Sequence, residues 1–362
     1  MNLLYFLLIW GGLVTFTIGE FVRHQQLFSS CPEDWVTPFV EKIAPLTTRL
    51  LVRYQKRHNI TLTSWHLKSA WGRCGSPPGS RTLWITMENW DQSGNEPAIS
   101  TRNEHTVDPS IFVTLTNERE EDSDELPISK IGPKSKVVWA PYFQFSMLDR
   151  GDCCREEAIL ARPRLDAQAV YANKTRFCAW ASRHCTDNMR SRPPGPDNYY
   201  RTHLFEEMAA VGMHVDALGN CKHNKEPDPV PAGSPYSKSW DVNVAWYLPY
   251  KFSFAMENSA GPGYITEKIV SSYLANTIPI YWGAPDVASY LNPNAFIHCM
   301  PEDDHSFSAC IKEIERLDAD PEAWMAKFRE PFFPDNRLPK WMRWGNIAHR
   351  LATVLLAEEK RH

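Results

Sequence analysis

The stretch from Tyr250 to Gly283 constrains the fold of this chain more than any other. Tyr250 to Met256 (YKFSFAM) alternates as a strand does. A loop follows, Glu257-Asn258-Ser259-Ala260-Gly261-Pro262-Gly263. From Tyr264 to Asn276 apolar residues fall at 265, 269, 270, 273 and 274, which is helical spacing, and Thr277 to Trp282 (TIPIYW) is again a strand, closed by Gly283. Strand, glycine-bearing loop, helix and strand make a βαβ unit, so the fold class expected is α/β with a parallel sheet.

In open parallel sheets ligands sit beyond the carboxyl ends of the strands. The start of the helix there offers free N–H groups and a partial positive charge, which suit phosphate. Lys268, in the first turn, is placed to reach a diphosphate, and Glu267 to accept hydrogen bonds from ribose hydroxyls. A solvated Glu-Lys pair beside an ordinary Gly-Pro-Gly turn is the competing explanation. Neither GxxxxGK[ST] nor GxGxxG is present.

Other parts of the chain are read more coarsely. Arg81 to Met87 and Val137 to Phe145 resemble buried strands, residues 188–200 a proline-rich loop, Arg201 to Val211 a helix, and His214 to Leu218 a short strand. Asp122-Ser123-Asp124 resembles an acidic metal-holding triplet, but its flanks are also acidic, as in a solvated loop. A formal net charge of -4 argues against a nucleic-acid partner.

Leu3 to Ile18 carries no charge, close to the length that spans a bilayer. Residues 1–22 are therefore expected to be a signal-anchor transmembrane segment, with a cleaved signal peptide as the alternative. Asn59-Ile60-Thr61 and Asn173-Lys174-Thr175 are glycosylation sequons. The nine cysteines lack zinc-site spacing, and the odd count predicts some disulfides plus at least one free thiol in an oxidising lumen.

The runs Tyr250 to Ser259, Gly263 to Ile269 and Thr277 to Gly283 closely resemble the signature of the α1,3/α1,4-fucosyltransferase family, glycosyltransferase family 10. The resemblance implies a GT-B architecture, two Rossmann-like domains facing a cleft, and an inverting transfer of fucose from GDP-fucose to a GlcNAc-containing glycan on a glycoprotein or glycolipid. It places Arg201, Asn258, Tyr264, Glu267 and Lys268 at the donor, with Arg201 and Lys268 on the diphosphate. It makes Glu88, in Met87-Glu88-Asn89, the general base, with Asp91 in reserve. No metal cofactor is required in this account, though stimulation by Mn²⁺ is compatible with it. The domains implied are a stem at 23–50, an acceptor-binding domain at 51–165, a GDP-fucose-binding domain at 166–320, and C-terminal helices at 321–362 crossing back to the first domain. The implied location is the Golgi membrane, single-pass type II, with the catalytic part lumenal. A GT-B transferase with another nucleotide sugar, and a silent glycan-binding protein on the same fold, are the rival readings.

Overall fold

The computed structural model describes residues 28–30, 46–52, 65–69, 81–85, 112–116, 136–139, 155–183, 185, 196–234, 236, 242–258, 260, 263–303 and 305–359. Two five-stranded parallel sheets organise these residues. The first contains β1 (Phe28–Ser30), β2 (Trp65–Ser69), β3 (Arg81–Ile85), β4 (Phe112–Thr116) and β5 (Lys136–Trp139), in that spatial order. A helix, α1 (46–52), lies between β1 and β2 in the chain. The expected stem at 23–50 thus contributes an edge strand, because Phe28–Ser30 pairs in parallel with Trp65–Leu67. Among the described residues the order of this sheet does not reverse, which departs from the doubly wound order expected of a Rossmann-like domain.

The second sheet contains β6 (Arg176–Trp180), β7 (Val215–Ala217), β8 (Tyr250–Met256), β9 (Ile278–Trp282) and β10 (Ile297–His298), in the spatial order β10-β9-β8-β6-β7. That is the 2-1-3-4-5 order of a doubly wound sheet, with its reversal between β6 and β8. Its helices are α2 (Arg155–Ala161), α3 (Ala167–Ala172), α4 (Pro196–Ala210), α5 (Val242–Tyr247), α6 (Glu267–Leu274), α7 (Ser308–Ala319) and α8 (Pro321–Phe328). A last helix, α9 (Trp344–Glu359), packs against β5 of the first sheet. The expected loop at 188–200 gives way to helix at Pro196, since proline at a helix start forfeits no hydrogen bond.

Side chains on β8 alternate between two apolar layers. Phe252, Phe254 and Met256 join Leu204 and Met208 of α4, Ile314 of α7 and Trp324 of α8. On the opposite face Ala255 joins Tyr247 of α5 and Ile269, Val270 and Tyr273 of α6. Both faces of β8 and β9 are buried almost without interruption, as in a parallel sheet covered on its two sides. Helix α2 packs on α6 of this sheet.

Helix α6 ends in a Schellman motif. Asn276 adopts φ 57°, a left-handed conformation that asparagine tolerates. Its N–H reaches Tyr273 O at 3.0 Å, and the Thr277 N–H reaches Ser272 O at 3.3 Å. Two buried cations complete this end. Arg162 donates to Tyr273 O (3.0 Å) and Thr277 O (2.9 Å), its guanidinium 3.6 Å from the Tyr273 ring centroid. Lys174 donates to Leu248 O (2.7 Å) and Ala275 O (2.9 Å). Positive groups suit the negative end of a helix dipole.

Among the described residues, no helix is long and apolar enough to cross a membrane, and the expected anchor at 1–22 lies outside them. Among the described residues, two disulfides are formed, Cys185–Cys221 and Cys299–Cys310, and Cys178 is a buried free thiol.

Burial, and secondly the nearby Arg162 charge, push the Lys174 ammonium down to about 7. Above that pH the unfolded chain holds a proton that the folded chain has released, so this group adds stability as pH rises from about 7 toward 10.5 and withdraws it as pH falls. Compared with Lys174→Met, the native protein should gain stability on the order of 1 kcal/mol per pH unit across this window. Urea denaturation at stepped pH checks this; parallel curves for the two proteins would contradict it.

Candidate active site

The reversal between β6 and β8 opens a crevice at their carboxyl ends. Trp180 and Ala181 line it from β6, Phe254 and Met256 from β8, Arg201 from α4, and Glu267, Lys268 and Ser271 from α6. Asn243 and Tyr247 of α5 close one side. The elements carrying Arg201 and Lys268 pack on opposite faces of the sheet, so only this end brings them together.

Arg201 is 6% exposed. Its Nη2 donates to Ser182 Oγ at 2.7 Å and its Nη1 to Asn258 Oδ1 at 3.2 Å. The Ser182 loop is itself fastened. Leu218 N donates to Trp180 O, Cys221 N donates to Ser182 O, and Cys185–Cys221 links the same two segments covalently. Gly219 allows this approach, since a Cβ there would lie 2.3 Å from Ser182 O.

The start of α6 is organised by Glu257, the first residue after β8, which is 0% exposed. Its Oε1 accepts from Thr266 N at 2.7 Å and its Oε2 from Thr266 Oγ1 at 2.6 Å. Thr266 is the N-cap residue of α6. Lys268 Nζ lies 3.0 Å from Thr266 Oγ1 and 3.3 Å from both Glu257 Oε2 and Glu267 Oε1. Desolvation raises the Glu257 carboxyl pKa, and Lys268 and Thr266 oppose that shift. Burial pulls the Lys268 ammonium down, but the Glu267 and Glu257 carboxylates outweigh it and hold it above its ordinary value. Lys268 is therefore held in its charged form.

Arg201, Asn258, Glu267 and Lys268 thus gather at one end of the sheet. Tyr264 is 2% exposed, and its carbonyl accepts from Tyr281 Oη. Glu88, Asp91 and the acidic triplet at Asp122 lie outside the described residues. Sequence reasoning missed the supporting roles of Glu257, Thr266 and Ser182. A threonine directly before the first helical residue was the available signal for the cap.

Fold and crevice together define an α/β domain in which two cations and two carboxylates meet at the carboxyl ends of a parallel sheet. Residues 171–331 match the family description "Glycosyltransferase family 10 (fucosyltransferase) C-term". The chain is 31% identical over 170 residues to the putative fucosyltransferase R654 of Acanthamoeba polyphaga mimivirus, covering 46% of this chain and 26% of that protein. It is 36% identical over 102 residues to the alpha-(1,3)-fucosyltransferase FucT of Helicobacter pylori, covering 27% and 21%. It is 28% identical over 170 residues to the GDP-fucose protein O-fucosyltransferase 3 of Bos taurus, covering 46% and 31%. The matched part is therefore between about a fifth and a third of each of these relatives. A solved alpha1,3-fucosyltransferase with GDP-fucose shares the fold at a TM-score of 0.51 and 17% identity, over 91% of this chain and 89% of that one.

Gly283 completes the site from below. A Cβ there would come within 2.4 Å of Glu257 Cγ and 2.8 Å of Tyr281 Oη. Gly283→Ala should displace Glu257 from Thr266 and cost about 1–3 kcal/mol, as overpacking does in tight cores. A fall in the urea midpoint checks this; an unchanged midpoint would contradict the clamp.

Proposed function

We propose that this chain is an inverting α1,3-fucosyltransferase that moves fucose from GDP-fucose to a GlcNAc-containing glycan. The observation that carries the donor half is the convergence of Arg201 and Lys268, with Glu267 beside them, on the crevice between β6 and β8. Two cations suit the diphosphate, and a carboxylate suits the ribose diol. As the bond from fucose to phosphate breaks, negative charge grows on GDP, and Arg201 and Lys268 stabilise it there. This leaves no step that requires a metal, while a modest effect of Mn²⁺ remains compatible with it.

In the acceptor half, the sheet β1–β5 faces the donor domain across a cleft in GT-B fashion. Glu88, which follows β3 in the chain, serves as general base. It takes the proton from the acceptor hydroxyl as that oxygen attacks the anomeric carbon opposite the departing diphosphate, which inverts the configuration. Similarity to the alpha-(1,3)-fucosyltransferase of Helicobacter pylori supports the α1,3 linkage for this chain. A second acceptor class, a hydroxyl on a protein, is favoured by the name of the bovine relative. The apolar segment Leu3 to Ile18, the sequons and the disulfides support a type II protein of the Golgi membrane with a lumenal catalytic part.

The test is GDP release by a fragment starting at Arg23, given GDP-fucose with a panel of GlcNAc-containing glycans and, separately, folded protein acceptors. Release that depends on a glycan is the expected result, and release that depends only on protein would move the acceptor to the second class. Glu88→Ala should bind GDP as the parent does and lose most turnover, about 10²–10⁴-fold. Full turnover in that variant would remove Glu88 from the mechanism.

A further inference from the structure

The lysine that meets the diphosphate is already fully engaged as the chain folds. An ammonium carries three N–H donors. Around Lys268 Nζ stand three oxygens: Thr266 Oγ1 at 3.0 Å, Glu257 Oε2 at 3.3 Å and Glu267 Oε1 at 3.3 Å. A phosphate oxygen reaches this group well only by replacing one of them.

The three are not equivalent. The side chain of Glu257 is 0% exposed and is held by both Thr266 N and Thr266 Oγ1. Thr266 caps α6 and its hydroxyl is committed to Glu257. Glu267 is 24% exposed, stands at the first position of α6 and lines the crevice. It is the partner that can turn away. The charges lead to the same place. Arg201 and Lys268 supply two positive charges and Glu257 and Glu267 two negative ones, so these four groups together exert little net pull on a bare phosphate.

We propose that Glu267 is a latch on the Lys268 ammonium that a ribose releases, so that the site takes a nucleoside diphosphate and turns away phosphate groups carrying no nucleoside. This rests on the donor reading above, in which Glu267 accepts hydrogen bonds from the ribose hydroxyls. When those hydroxyls draw the carboxylate across, one ammonium N–H is exposed to the diphosphate at the same moment. Glu257 and Thr266 keep the ammonium in place throughout. Binding of the nucleoside and of the diphosphate is thereby coupled through one side chain, and discrimination lies in the carboxylate being lost to Lys268 only when a diol replaces it.

Calorimetric titration of the native protein, Glu267→Gln and Glu267→Ala, with GDP and with inorganic pyrophosphate at fixed ionic strength in metal-free buffer, tests this. Loss of the carboxylate should tighten pyrophosphate binding about tenfold and weaken GDP binding about tenfold, shifts of about 1.4 kcal/mol in opposite directions. A merely structural role for Glu267 would weaken both ligands together, and that result overturns the latch. Tightening of both overturns it as well, because Glu267 would then not serve the ribose. Failure of the native protein to bind GDP would instead remove the donor reading on which the latch rests.

Discussion

The buried carboxylate of Glu257 sets the geometry of everything at this site. It stands where β8 ends, receives the N–H and the hydroxyl of Thr266, and faces the Lys268 ammonium. Burying a carboxylate is costly unless it is paired and hydrogen-bonded, and here it is both. Because its partners are the cap of α6 and a residue in that helix's first turn, satisfying Glu257 also fixes where α6 begins and where Lys268 points. Gly283 is required for the same reason: the carboxylate's stem occupies the space a side chain would need.

Helix α6 then acts as a short rigid strut between two polar ends in an apolar interior. Ile269 to Leu274 are all buried, so the helix has little freedom to rotate or slide. At its far end the Schellman motif and the Arg162 and Lys174 side chains satisfy carbonyls that would otherwise be stranded. Across the crevice, Arg201 is held by Ser182 on a loop that the Cys185–Cys221 disulfide fastens. The two cations therefore come from independently braced supports. That is the arrangement wanted where electrostatic stabilisation depends on groups that need not reorganise during reaction.

Much of this was legible in the sequence, and unevenly so. β8, α6 and β9 stood out because their periodicities switch from two to helical and back within a short stretch. β6 did not. Arg176–Trp180 opens on a polar residue and is too short to show a period, yet it forms one wall of the crevice. β1 was taken for stem because three residues of strand carry no signal without their partner in β2. Lys268 was found from its place in the first turn of the helix and Arg201 from the family resemblance, whereas Glu257 was passed over. A glutamate at a strand end reads as exposed, and only packing in three dimensions shows it at 0% exposure beneath the helix.

The most direct test of the account is a crystal structure of the protein soaked with GDP. The account predicts the diphosphate between the Arg201 guanidinium and the Lys268 ammonium, at the carboxyl ends of β6 and β8, with the ribose against Glu267. Electron density for GDP elsewhere, or a diphosphate touching neither cation, would contradict it.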